Sequence, residues 1–383
     1  ETYSFEQFAS VFNRKEVVLS RLAVPSENAM EQPRLTAPPI VHMEDHLTVK
    51  TVDSDMYPLK VRACGNGPVK VVRVFVNGRD VSEVPINASD KSVTIDVPLT
   101  GGANRLTAIA YDRRGFSSNP RYMDILSRNT AVLPDLHILS IGISRYPNLP
   151  PHWQLEFAHS DAQALADVLA QQAGHLFSRV HSTLLTNDTA TSDHILESLE
   201  RLQRVPAEDI VVVFMAGHGV MDTEGTFHFL SSHGQLVDPG KNSINWEKLS
   251  RHLQNIKGRT ILLLDACHSG SIVNEIIVPN NTLAEELYAG KRGGVMVFSA
   301  SKGRQYSMET PDLGDGFGLF TYALVQALGP QSGQADINKN HYVEFSELVD
   351  YVRYFVDRET GGSQTPWLSR KELFGDLPIA HVQ

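Results

Sequence analysis

Apolar and polar residues alternate in short runs between residues 40 and 125. Short alternating runs fall at positions 47–52, 69–76, 92–97 and 105–111, which predicts strands with one buried face. Asn77-Gly78 closes the second run, and that pair favours the tight turn of a hairpin. Strands at this spacing, with Gly and Pro turns between them, predict a small immunoglobulin-like β-sandwich over residues 37–128. Ahead of it, Phe5, Phe8, Val11, Phe12 and Val17 to Leu19 recur at near-helical spacing. One or two short amphipathic helices are expected there. Pro25, Pro33, Pro38 and Pro39 then mark an extended linker, so residues 1–36 form a helical segment and linker.

From residue 129 the pattern changes. Apolar strands at 137–143, 180–185 and 295–299 alternate with helical periodicity at 155–172, 193–204, 246–254, 318–328 and 345–356. Such alternation predicts an α/β fold over 129–383, a mostly parallel sheet with helices on both faces. Two further runs, 210–214 and 261–264, are apolar at every position and read as strands buried on both faces. The first leads into Ala216-Gly217-His218-Gly219, the second into Asp265-Ala266-Cys267-His268-Ser269-Gly270. Working residues of such sheets lie just beyond the carboxyl ends of the strands. His218 and Cys267 are therefore expected immediately after their strands, meeting across one crevice.

That pair carries chemistry. A thiolate is the nucleophilic form of cysteine, and a neighbouring imidazole can hold it as an ion pair or take its proton during attack. Glycine on both sides of His218 lets the backbone turn sharply and approach a substrate closely. The N–H groups of Gly219 and Cys267 are the candidate donors to a developing oxyanion. The ring of His268 is expected to point away, with no catalytic role.

Composition narrows the partners. A chain of 383 residues is long enough for two or more domains. The net charge of -10 argues against nucleic acid or an anionic membrane as the main partner. No apolar stretch approaches the roughly 18 residues of a membrane span. The chain begins Glu1-Thr2-Tyr3, which shows no signal peptide and no initiator methionine, so a fragment or processed form is expected. The only cysteines are Cys64 and Cys267, too few for a disulfide framework, and a reducing, cytoplasmic setting is the natural expectation. Cys64 is expected to be a small buried residue of a strand. From Asp336 to Glu347, oxygen-bearing side chains fall where an EF-hand loop places its ligands. His341 stands where that loop needs glycine, however, and no good helix precedes it. A turn that caps a helix starting near Phe345 is the stronger expectation, and no metal ligands are assigned.

From about Val132 onward the chain resembles the caspase-like cysteine peptidases, in particular the bacterial-type branch of metacaspases and orthocaspases. Ala216-Gly217-His218-Gly219 and Asp265-Ala266-Cys267-His268-Ser269-Gly270 look like that family's paired motifs, and the histidine precedes the cysteine by about 50 residues, as in caspases. Asp161-Ala162 in a helix, and Ser299-Ala300-Ser301 after the last core strand, are similar to the family's further stretches. The resemblance implies a caspase-like fold and a Cys267–His218 dyad. It also implies an acidic S1 pocket made by Asp161 and Asp265, with Ala158 and Ala216 in its wall, Ala216 replacing the usual serine. Two carboxylates facing one cavity repel unless a cation lies between them, and the planar fork of arginine suits them best. The expected reaction is peptide cleavage after Arg, then Lys, in a protein or peptide substrate. Residues 271–294 read as a surface loop in which Lys291-Arg292 is a candidate self-cleavage site. An upstream sensor or activating partner is a further expectation. No cofactor is assigned with certainty; calcium, which many metacaspases need, is the candidate the resemblance offers, although its site in them has no clear match here. Rival functions are a catalytically idle adaptor and an amidase or esterase using the same dyad.

Overall fold

A computed structural model of the chain describes residues 7, 36–44, 50–77, 79–128, 133–224, 226–267, 295–301, 309–310, 316–368 and 377–382. Of the segment 3–22 expected to be helical only Gln7 is described; the rest of it, His268 and the expected surface loop 271–294 with Lys291-Arg292 lie outside the described residues. Those described fall into two compact units, one ending at residue 128 and the other beginning at 133.

The first unit is all β: β1 (Ile40–Met43), β2 (Lys50–Val52), β3 (Met56–Val76), β4 (Arg79–Pro98), β5 (Gly102–Asp112) and β6 (Arg121–Ser127). The runs at 69–76 and 92–97 are not separate short strands. They belong to strands of 21 and 20 residues that pair antiparallel and turn between Val76 and Arg79, which lie opposite each other. Asn77 has φ 49°, the positive value such a turn requires. Strand β3 pairs with β1 along its first part and β5 along its second. Register shifts between Cys64 and Val71 separate the two parts. Leu59, Val61 and Ala63 are buried before the shifts, and Val72, Val74 and Val76 after them. The change from odd to even positions keeps one apolar face inward, and a strand that changes partners at a bulge makes the corner of a β-sandwich. One apolar cluster from Val41 to Ile125 fills it. Cys64 is a free thiol and only half-buried.

The second unit begins with β7 (Leu136–Gly142), α1 (Ala158–Ala170), β8 (Val180–Thr186), α2 (Ser192–Leu202), β9 (Ile210–Met221), β10 (Phe227–Leu230) and β11 (Ser243–Asn245). It continues through α3 (Trp246–Asn255), β12 (Arg259–Cys267), β13 (Val295–Ser299), β14 (Glu309–Thr310), β15 (Phe317–Gly318), α4 (Leu319–Leu328), β16 (Tyr342–Glu344), α5 (Phe345–Thr360), β17 (Trp367–Leu368) and β18 (Pro378–His381). Strands β8, β7, β9, β12 and β13 lie parallel in that order, with β17 antiparallel at the far edge and β10–β11 running on antiparallel from β9. Both faces are covered. Leu139, Val211, Val213 and Leu262 pack with Leu199 of α2 and Leu249 of α3. On the other face Ser140 donates to the Ala162 carbonyl of α1, and the Phe298 ring meets Phe320 of α4 and Phe345 of α5. Helix α1 touches the sheet backbone to backbone: a Cβ on Gly142 would lie 2.0 Å from the Ala158 carbonyl oxygen. Among the described residues no helix is long and apolar enough to cross a membrane.

Candidate active site

His218 and Cys267 do not follow their strands; they lie within them. Strand β9 runs on to Met221, because β10 pairs with its last three residues, and β12 runs to Cys267. In the parallel ladder between them Asp265 pairs with Ala216, Ala266 with Gly217, and Cys267 with His218. The two motifs are thus laid side by side residue for residue. Gly219 is the next residue of β9 and faces Phe229 of β10.

The His218 side chain is fully buried. Its ring lies against those of Tyr146 and Trp153, with centroids 4.8 and 5.4 Å away. Its Nε2 meets the Trp153 carbonyl at 2.5 Å, and its backbone N–H donates to Tyr146 Oη at 2.9 Å. A carbonyl only accepts, so Nε2 carries the hydrogen and the neutral ring has its basic lone pair on Nδ1. Burial lowers the His218 pKa from its ordinary 6.5, opposed by the hydrogen bond to Trp153. Gly217 is required here, since a Cβ would lie 2.6 Å from Tyr146 Oη.

Tyr146 and Trp153 belong to one loop between β7 and α1, and Gln154 ties that loop together. Its Oε1 accepts the Tyr146 N–H at 2.7 Å, and its Nε2 donates to the carbonyls of Tyr146, Leu149 and Pro150. The Leu155 N–H returns to the Ser144 carbonyl at 2.9 Å. The helix expected from residue 155 starts only at Ala158, because Pro150 and Pro151 favour this turn and a short 3-10 segment. No sequence pattern marked Tyr146, Trp153 or Gln154.

Asp161 and Asp265 are both buried and converge on the start of α4. Asp161 accepts the Gly318 N–H at 3.2 and 3.1 Å through its two oxygens, and Asp265 Oδ2 accepts the Thr321 hydroxyl at 3.1 Å. A Cβ on Gly318 would stand 2.8 Å from Asp161 Oδ2 and 3.1 Å from Asp265 Oδ2. Glycine keeps that point open, and the N-terminus of α4 favours negative charge there. Ala158, one helical turn before Asp161, and Ala216, beside Asp265 in the ladder, are buried next to them. Gly318 and Thr321 also escaped the sequence, whose only signal was a glycine at a helix start.

The loop from Asp336 to Glu347 turns its oxygens onto its own backbone. Asp336 accepts N–H groups of Asn340 and His341, and Glu347 those of Ile337, Asn338 and Glu344, capping α5. Among the described residues no three His, Cys, Asp or Glu side chains group as metal ligands would.

A family model described as Caspase domain matches residues 137–378. A search of curated proteins finds no match. Among solved structures, protein GSU0716 from Geobacter sulfurreducens is 18% identical over 65% of this chain and 100% of its own, with a TM-score of 0.45. Caspase-1 from Spodoptera frugiperda is 12% identical over 65% of this chain and 90% of its own, with a TM-score of 0.41. The fibronectin(III)-like modules of CbhA from Clostridium thermocellum are 17% identical over 24% of this chain and 98% of theirs, with a TM-score of 0.20.

Proposed function

The chain belongs to the caspase-domain family of cysteine peptidases, and we propose that it is an active cysteine endopeptidase that cuts proteins or peptides after Arg, less readily after Lys. The direct pairing of Cys267 with His218 in adjacent parallel strands is the observation that carries this reading. The Cys267 thiol gives its proton to His218 Nδ1 as sulfur adds to the scissile carbonyl. The imidazolium then returns the proton to the leaving amine, and water hydrolyses the thioester with His218 again as base. The Trp153 carbonyl holds the ring in the tautomer this requires and favours the imidazolium while it lasts. Backbone N–H groups of Gly219 and Cys267 are assigned to the oxyanion. These steps draw on protein groups alone, and no cofactor is proposed.

Asp161 and Asp265 are assigned to a basic P1 side chain, with Ala158 and Ala216 in the wall. Their convergence on one point beside Gly318 supports this, because one guanidinium can then satisfy both carboxylates. We assign the chain to the metacaspase–orthocaspase branch, made as a zymogen that is self-cleaved at Lys291-Arg292 and answers to an upstream sensor. Two cysteines in 383 residues support a cytoplasmic setting.

The test is a peptide library in which only P1 varies, digested by the native chain and by Cys267→Ala, with fragment masses read for both peptides and chain. Cleavage after Arg ahead of Lys, and none after Asp, is expected. Cys267→Ala should lose several orders of magnitude in rate; retention of more than about one hundredth would sink the nucleophile assignment. Cleavage chiefly after Asp or small apolar residues would overturn the pocket assignment.

A further inference from the structure

The parallel sheet has a second concentration of polar side chains at its opposite end. His137 of β7 and His181 of β8 are register partners, and Val211, the partner of His137 in β9, lies roughly 20 Å along the strand from His218. The two imidazoles stack with centroids 4.7 Å apart and planes 17° apart. Each is held at Nε2 by a carboxylate, His137 by Asp209 at 2.9 Å and His181 by Asp135 at 2.8 Å. The carboxylates are themselves fixed: Asp209 accepts the Asp135 N–H and Asp135 the Arg179 N–H. The hydrogen bond from His181 also holds Asp135 below the usual carboxylate range. A carboxylate only accepts, so both Nε2 atoms carry hydrogen. The Nδ1 edges are left over, and among the described residues neither meets a partner.

These rings line a cavity of about 320 Å³ together with Thr183, Arg201 and Arg204, over an aliphatic floor that includes Leu202 and Val205. Arg201 donates to Ser198 Oγ at 2.8 Å, and Ser198 gives its own proton to the His194 carbonyl. The guanidinium is thereby tethered without being neutralised. The Arg204 guanidinium and the Thr183 hydroxyl have no partner among the described residues.

We propose that this cavity binds a phosphate monoester. Two guanidinium groups and a hydroxyl offer more donors than the two oxygens of a carboxylate can use, whereas a phosphoryl group presents three. Phosphate also suits the paired imidazoles in either protonation state. A protonated Nδ1 donates to it, and an unprotonated Nδ1 accepts the acidic hydroxyl that a phosphate monoanion carries. A sulfate ester has no such proton. Asp135 and Asp209 occupy the Nε2 edges, so the rings stand between those carboxylates and a ligand at Nδ1. The aliphatic floor takes the organic part of the ester.

Calorimetric titration of the full chain with phenyl phosphate, phenyl sulfate and inorganic phosphate tests this. Saturable one-site binding of phenyl phosphate is expected, about tenfold or more tighter than that of phenyl sulfate, with inorganic phosphate weaker for want of an apolar part. Arg204→Ala, at an exposed position, and His181→Phe, which keeps a ring to stack on His137, should each weaken phenyl phosphate about tenfold. Absence of saturable binding, equal affinity for the sulfate ester, or binding that both substitutions leave unchanged overturns the proposal. The site is remote from the dyad, so Cys267→Ala should bind phenyl phosphate as the native chain does, and loss of binding in that variant counts against it.

Discussion

At His218 two opposing influences act on one proton. Burial disfavours the charged ring, the Trp153 carbonyl favours it, and burial wins, leaving the pKa below the ordinary 6.5. The unfolded chain therefore binds this proton more readily than the folded one. Stability from His218 is fully present above pH 6.5 and is lost as pH falls through the folded value. The free enzyme should keep a neutral base to lower pH than an exposed histidine would. The acidic limb of kcat/KM for an Arg substrate is expected below pH 6.5, and a limb at or above that value would refute the assignment of the base. Asp161 and Asp265 show a different tension. Each already accepts a hydrogen bond at the start of α4, so these carboxylates hold a helix as well as facing the assigned pocket. A P1 cation there would join partners already present, which keeps both carboxylates from being unpaired when no substrate is bound.

Among the elements, the loop between β7 and α1 has the most to do with the dyad. It delivers the Tyr146 hydroxyl to the His218 backbone and the Trp153 carbonyl to its ring. Its two ends are joined by the carboxamide of Gln154, an exposed residue. Gln154→Ala should lower kcat by about tenfold or more, because small misplacements of a base are costly, while KM for an Arg substrate changes little. A rise in KM at unchanged kcat would show that the loop serves binding instead. Nothing in the sequence announced this loop, since single tertiary hydrogen bonds from a carboxamide leave no periodic trace. The buried strands were legible because both faces are covered, so 210–214 and 261–264 are apolar throughout, and the strand at 295–299 was visible end to end. Asn77-Gly78 was equally plain, since a tight hairpin admits few residues. The length of β3 was hidden by its register shifts, which break the alternation that a pattern search follows. The extent of β9 was hidden by its own glycines: Gly217 and Gly219 read as a break, yet Gly217 serves contact with Tyr146 and the strand continues.

On the scale of the whole molecule, each unit has an apolar core of its own: Val41 to Ile125 in the first, and the residues packed around β9 and β12 in the second. Separate cores allow separate unfolding, and a single melting temperature is then not a well-defined quantity. Two transitions are expected in a thermal scan of the full chain, with loss of peptidase activity following the second unit's. Leu106 is fully buried within the first core, so Leu106→Ala should cost about 2–5 kcal/mol through lost contacts and the cavity left behind. In a domain of this size each kcal/mol lowers the midpoint by roughly 4–8 °C. The first unit's transition should therefore move down by about 10 °C or more, while the second, and the temperature at which activity is lost, stay where they were. A single transition that moves as a whole would show that the two cores unfold together, and that damage to the β-sandwich reaches the dyad through stability.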